Sequence, residues 1–189
     1  PLYLQFFSWL WSVIRLDFGI SLWTGETVWD ELAIRAPLTL QVAAVSIVIS
    51  TLISIPLGTL AAIRQDTWVD YAIRVFSIGG LAIPSFWTGI LILLFLVLWF
   101  QWGIPIEFVS FFDDPMENMS KMVWPMVAVG YRFAAVGTRM TRSNMLEVLR
   151  EYYIRTAWAK GLRERVVVIK HTLRNALLPV VTIIGTELD

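Results

Sequence analysis

The sequence contains no cysteine, a single histidine and few charged residues. The lack of cysteine excludes a disulfide framework and a thiolate metal site. His171 has no accompanying cluster of histidines and carboxylates, which argues against a catalytic metal centre. Charged residues make up only 16% of the 189 positions and hydrophobic residues 57%. Soluble domains average about 25% charged and about 45–50% apolar residues, so this composition indicates a membrane protein.

Two long uncharged runs are the clearest positive feature of the sequence. Positions 36–63 carry no charge, and neither do positions 75–100. These runs are bordered by three arginines: Arg35, Arg64 and Arg74. A helix of about 26 residues is about 39 Å long and can cross a hydrocarbon core of about 30 Å with some tilt. Because backbone in lipid must satisfy its own hydrogen bonds, each run is predicted to be one membrane-spanning helix.

Two further spans are predicted later in the chain. Positions 122–138 form a weaker span that contains Arg132, and a fourth span begins near Ala176 and covers 176–189. Arg132 lies seven residues, about 10 Å of helix, from Arg139. Its long side chain can extend to the nearer headgroups, or it can face a substrate pathway, and both roles stay open.

The distribution of basic residues assigns the two sides of the membrane. With four crossings, one face collects eleven basic residues: Arg64, Arg74 and the nine between Arg139 and Arg174. The opposite face collects three: Arg15, Arg35 and Lys121. The positive-inside rule therefore predicts that the first face is cytoplasmic. The segment 104–121, which includes the acidic residue Glu107, is then expected outside the cell.

The long polar segment 139–175 is the most informative part of the sequence. Nine basic and three acidic residues give positions 139–174 a net charge of +6. Asn144 followed by Glu147 resembles a capping box, which predicts that a helix restarts near Asn144. Most permeases and channels join their spans with short loops, so the length of this segment indicates a function.

A short helix is predicted from Tyr152 to Lys160 within this segment. It is ended by Gly161, a residue that suits the left-handed conformation at a helix C-terminus. Four residues share one face of the helix: Ile154, Ala157, Trp158 and Gly161. About nine residues are too few for a stable helix in water, so the helix needs a surface on which to dock. That surface is either a protein partner or anionic lipid.

The stretch from Met145 to Val181 resembles the cytoplasmic signature loop of ABC importer permeases. The general signature is Glu-Ala-Ala, three residues, Gly, nine residues and Ile-x-Leu-Pro, and three positions match it: Ala157, Gly161 and Leu173. The departures at Arg155, Thr156, His171 and Arg174 resemble the variant common in the dipeptide, oligopeptide and nickel branch. Further short matches to that branch follow in the same order: Leu16 to Ser21, Arg35 to Leu40, Ile55 to Gly58 and Ile83 to Trp87.

The resemblance implies an all-α fold, the polytopic transmembrane helical bundle of a type I ABC importer. Positions 36–189 would form the permease domain, and positions 1–35 an external lead-in after a missing first span. That family has six spans. A sequence that begins without Met and stops inside an apolar run is therefore expected to be a fragment with about four of them. A multi-pass protein of a bacterial or archaeal plasma membrane is implied.

The resemblance also implies partners and a contact site. The partners are a second permease subunit, two cytoplasmic ATPase subunits, an external substrate-binding protein and membrane lipid, without nucleic acid. The ATPase-coupling contact would hold six residues: Ile154, Arg155, Thr156, Ala157, Trp158 and Gly161. The sequence has no phosphate-binding loop of the form GxxxxGK[ST], so ATP and Mg²⁺ are expected on the partner subunits. No catalytic residue, cofactor or metal is expected in this chain, which would be a transport subunit for di- or oligopeptides.

Several alternatives remain open at this stage. The same class of importer can carry nickel or oligosaccharides in place of peptides. A secondary transporter or channel usually has ionisable residues or broken helices near the membrane midplane, whereas the first two predicted spans carry no charge. A membrane enzyme would need a catalytic set that the sequence does not show, and a membrane anchor or assembly factor is the last alternative.

Overall fold

The computed structural model describes residues 1–103 and 109–186. In the final turns of the last helix it describes the backbone and not the side chains. Glu107 and the last three positions of the predicted fourth span lie outside the described residues. The described part is helical, with one isolated bridge between Ile20 and Thr27 and no strand. The predicted all-α class is therefore confirmed. The chain divides into two compact units, Pro1–Val42 and Ala43–Asp189.

The first unit contains helix α1 (Leu2–Ile14) and the beginning of α2 (Val28–Ile63). Helix α2 begins eight residues before the predicted span 36–63. The Thr27 hydroxyl accepts a 3.2 Å hydrogen bond from the Asp30 amide, as an N-cap residue does. Helix α2 has 36 residues and is long and apolar enough to cross a membrane.

The second uncharged run is two helices, and its prediction as one continuous span is wrong. Helix α3 (Trp68–Ala82) and helix α4 (Ser85–Phe100) meet at a bend of 105°. Ile83, between them, is extended, with φ −98° and ψ 125°. The next residue is Pro84, which has no amide hydrogen and disfavours helical geometry at the residue before it. The Ile-Pro pair therefore breaks the helix, where the sequence analysis predicted one uninterrupted helix.

Helix α5 (Pro115–Leu149) includes the predicted third span and continues well beyond it. Asp114 caps its start, because the Asp114 carboxylate accepts a 2.9 Å hydrogen bond from the Glu117 amide. The predicted restart at Asn144 is wrong, since α5 is continuous there. The Asn144 side chain donates a hydrogen bond to the Ala176 carbonyl at 3.3 Å instead of capping a helix.

Three elements complete the described chain. Helix α6 (Tyr152–Ala159) is followed by a π-helical segment (Val166–Leu173), which leads directly into helix α7 (Arg174–Thr186). The predicted start of the fourth span at Ala176 therefore lies two residues inside α7. The π-helical segment was not predicted, because its wider turn has no sequence signature as clear as a cap or a proline.

Helices α2 and α5 approach closely through small side chains within the second unit. Every fourth residue along that part of α2 is small and buried: Ser46, Ser50, Ser54, Gly58 and Ala62. A Cβ atom added to Gly58 would lie 2.5 Å from the Thr141 Cβ, and one added to Gly137 would lie 2.8 Å from the Ser54 Cβ. A row of small residues lets two helices approach closely in lipid, where the burial of apolar surface does not favour helix association.

Candidate functional site

Helix α6 is packed against its own chain by its inner face. Ile154 is fully buried, Ala157 is nearly so, and both belong to a cluster with Val167 of the π-helical segment. Val148 and Leu149, at the end of α5, pack against the same cluster. A helix of eight residues needs such support, because it cannot be stable alone in water. The surface that supports α6 is therefore this chain itself.

The outer face of α6 is exposed and carries the remaining predicted contact residues. Arg155, Thr156 and Trp158 are all exposed, and the Arg155 guanidinium lies 5.6 Å from the ring centroid of Tyr152. The contact residues predicted from the sequence are therefore divided between a buried face and an exposed face of α6. Ile154 and Ala157 are buried against this chain, and their part in a partner contact stays a prediction.

The end of α6 has the geometry predicted for Gly161. Gly161 has φ +74°, its amide donates to the Trp158 carbonyl at 2.9 Å, and the Leu162 amide donates to the Ala157 carbonyl at 3.4 Å. A left-handed glycine closing a helix in this way is a common C-terminal motif. A Cβ atom at Gly161 would meet no atom within 4 Å, so the position faces open space.

Hydrogen bonds connect α6 to the beginning of α7. The Asn175 side-chain amide donates to the Tyr153 hydroxyl at 2.7 Å and to the His171 carbonyl at 3.0 Å. The Asn144 bond to the Ala176 carbonyl joins the same turn of α7 to α5. The sequence analysis missed Tyr153 and Asn175, and no spacing rule pairs residues so far apart on separate helices.

The π-helical segment lies between α6 and α7. Its residues Val167, Val168 and Thr172 are buried, and the Thr172 hydroxyl donates to the Val167 carbonyl at 3.0 Å. Short π-helical turns are rare and occur frequently at functional sites. The connection from the short helix to the predicted span is therefore an irregular but packed helix rather than a loose linker.

A buried ion pair fixes the end of α5 against α3. Arg142 donates from Nε to Asp70 Oδ1 and from Nη2 to Asp70 Oδ2, each at 2.7 Å. Asp70 is completely buried, and it also accepts a hydrogen bond from the Asp66 amide at 3.1 Å. Bidentate pairs of this kind define orientation as well as distance.

Arg132, in the same helix α5, is exposed, and its two predicted roles stay predictions.

Comparison with known proteins assigns this arrangement to a family. Residues 54–188, which include α6, the π-helical segment and all of α7, match the family described as binding-protein-dependent transport system inner membrane component. The chain belongs to this family. Its resemblance to ABC importer permeases of the peptide branch is thereby confirmed, as is the helical type I importer fold. The family assignment also places the chain in a membrane.

Similar curated proteins are named as peptide permeases. The oligopeptide transport system permease protein AppB of Bacillus subtilis is 41% identical over 189 residues, covering 98% of this chain and 60% of AppB. The dipeptide transport system permease protein DppB of Escherichia coli K12 is 35% identical over 212 residues, covering 99% of this chain and 62% of DppB. A putative peptide transport system permease protein of Brucella suis is 33% identical over 185 residues, covering 98% of this chain and 59% of the relative. The chain thus spans about three fifths of the length of these relatives.

Proposed function

We propose that this chain is a membrane-spanning permease subunit of an ATP-driven importer that carries di- or oligopeptides into a bacterial or archaeal cytoplasm. One observation carries the proposal: α6 is exposed on its outer face, while its inner face and Tyr153 connect it to α7. This arrangement suits a short helix on which a partner acts. The names of the relatives support peptides as the substrate class.

The exposed face of α6 is the contact for an ATPase subunit in this proposal. Arg155, Thr156 and Trp158 offer a cation, a backbone-bonded hydroxyl and an aromatic ring on one accessible surface. Arginine and tryptophan are frequent among residues that dominate protein interfaces. Gly161 adds an open position at the edge of this surface.

Movement of α6 would reach α7 along two routes. The first is the packing of Ile154 and Ala157 on Val167, and the second is the hydrogen bond between Tyr153 and Asn175. A permease of this kind needs no catalytic group, because it works as a two-state body that its partners switch. ATP and Mg²⁺ would be held by the ATPase subunits. A second permease and an external binding protein would complete a multi-pass transporter.

Cysteine crosslinking tests the ATPase contact directly. These 189 residues contain no cysteine, so each introduced thiol is the only one among them. Trp158→Cys places a thiol on the exposed face, and Ala157→Cys places one on the buried face of the same helix. With the assembled complex, we expect a crosslink to the ATPase from position 158 and none from position 157. Equal crosslinking at both positions, or at neither, would contradict the proposed contact.

Uptake into membrane vesicles tests the energy source. Vesicles that contain the complex should accumulate a labelled dipeptide only when ATP and the binding protein are supplied. A secondary transporter, which is the main competing function, would instead accumulate substrate from an ion gradient without ATP. Uptake of that second kind would overturn the proposal.

A further inference from the structure

A polar cleft of about 340 Å³ lies between α3 and α5. Its polar wall consists of six residues: Arg74, Ser77, Thr138, Arg139, Arg142 and Ser143. Helices α3 and α5 run antiparallel here, since Asp70 is paired with Arg142 while Gly80 lies against Ala135. The proposed coupling contact does not use this cleft.

The cleft carries an excess of positive charge. Three guanidinium groups line it, against two nearby carboxylates, that of Asp70, which is bonded to Arg142, and that of Asp66. Arg74 and Arg139 are exposed and form no ion pair with any residue that the structure describes. The Nη1 atom of Arg142 takes no part in the bonds to Asp70. The cleft therefore keeps an excess of positive charge and has further donor capacity for an anion.

The other end of the cleft is apolar. Ile78 and Leu81 line it, about one and two helical turns beyond Arg74 along α3. Ile78 is 62% exposed, so an apolar group can lie against it. A free phosphate ion would use only the charged end, whereas a phospholipid would place its headgroup at the arginines and its acyl chain on Ile78. Basic pockets between membrane helices bind acidic headgroups in this way.

We propose that this cleft binds an acidic membrane phospholipid, with Arg74 and Arg139 contacting its phosphate. Arg142 completes the charged wall, and its ion pair with Asp70 holds it in place. The positive-inside distribution puts this end of α3 and α5 at the cytoplasmic surface, where acidic lipid is available.

Native mass spectrometry of the detergent-solubilised complex tests this site. The probes are phosphatidylglycerol and phosphatidylcholine, offered together in equal amounts. Wild-type protein should retain phosphatidylglycerol in preference. The double variant Arg74→Gln/Arg139→Gln should reduce phosphatidylglycerol affinity by about tenfold or more, because each basic group near the membrane surface contributes substantially. Arg165→Gln, which removes an exposed arginine outside the cleft, should leave binding unchanged.

A second pair of variants tests the site even if the double variant fails to fold. Ser143 is exposed at the cleft, so Ser143→Asp adds a negative charge there without disturbing buried packing. Ser143→Asn is the neutral control of similar size. We expect the aspartate to weaken phosphatidylglycerol binding and the asparagine to leave it close to wild type.

Three results would overturn the proposal. Equal retention of phosphatidylcholine would show that the cleft does not select acidic lipid. Unchanged phosphatidylglycerol binding in both Arg74→Gln/Arg139→Gln and Ser143→Asp would place the lipid elsewhere. Displacement of the lipid by inorganic phosphate at equal concentration would assign the site to a free ion. None of these measurements depends on transport, so they are independent of the proposed importer function.

Discussion

Asp70 and Arg142 are 72 positions apart in the sequence, yet their side chains form two parallel hydrogen bonds of 2.7 Å. Asp70 is completely buried, whereas the Arg142 side chain keeps 20% of its surface exposed. The pair therefore combines a desolvated carboxylate with a guanidinium that remains near water. Loss of one partner leaves the other without compensation, and that is the costly change for a buried pair.

Asp70→Asn should lower the stability of the second unit. Removing one member of a buried ion pair typically costs about 3 kcal/mol, because the remaining charge is left unpaired. Thermal unfolding of the purified protein in detergent measures the loss. Asp113→Asn is the control, since Asp113 is an exposed aspartate that takes no part in this pair. If both variants unfold at the wild-type temperature, the ion pair does not hold α3 against α5.

Gly58→Ala should disturb the contact between α2 and α5. The added methyl group would lie 2.5 Å from the Thr141 Cβ, so one helix must move outward. Overpacking of this kind costs about 1–3 kcal/mol. Gly89→Ala is the matched control, because its added methyl group would be 3.8 Å from the Ala128 Cβ, an ordinary contact. Equal stability of the two variants in thermal unfolding would contradict the close approach.

Tyr153→Phe should weaken the connection between α6 and α7. The change removes the hydroxyl that accepts from Asn175 and keeps the ring, so the stability loss should be no more than about 1 kcal/mol. We expect ATP hydrolysis to continue while peptide uptake falls several-fold. Tyr152→Phe removes an exposed hydroxyl from the neighbouring position and should leave both rates unchanged. Uptake in Tyr153→Phe equal to that in Tyr152→Phe would show that this hydrogen bond does not transmit movement.

Gly161→Trp should stop peptide uptake without preventing membrane insertion. The position faces open space within this chain, so a large side chain there would obstruct a partner rather than the chain itself. Gly161→Ala separates the two effects, because it shares the cost of φ +74°, about 1–2 kcal/mol, without the bulk. We expect uptake to be partly retained with alanine and absent with tryptophan. Normal uptake by the tryptophan variant would exclude a docked partner at this end of α6.

Local signals in the sequence predicted the local elements of the candidate site. The apolar spacing of Ile154 and Ala157 indicated a short helix, and Gly161 indicated where it ends, as the structure shows. The capping-box pattern at Asn144 was misleading, because the buried face of α5 continues past it to Met145 and keeps the helix intact. Here tertiary packing overrides a local preference.

Contacts between distant segments could not be predicted from one sequence. Nothing in the spacing of residues links Asp70 to Arg142 or Tyr153 to Asn175, because such pairs are set by how helices pack. The size of the bend at Pro84 could not be predicted either, since a proline in a membrane helix is compatible with a mild kink and with a complete break.

Helix α5 has 35 residues and ends at Leu149, directly beneath the short helix. At about 1.5 Å per residue it is about 52 Å long, more than the thickness of a hydrocarbon core. Its far end begins at Pro115, in the part of the chain predicted to face the outside. One uninterrupted helix therefore runs from the end predicted to face outside to the base of α6, so a tilt of one end also displaces the other without refolding of any segment.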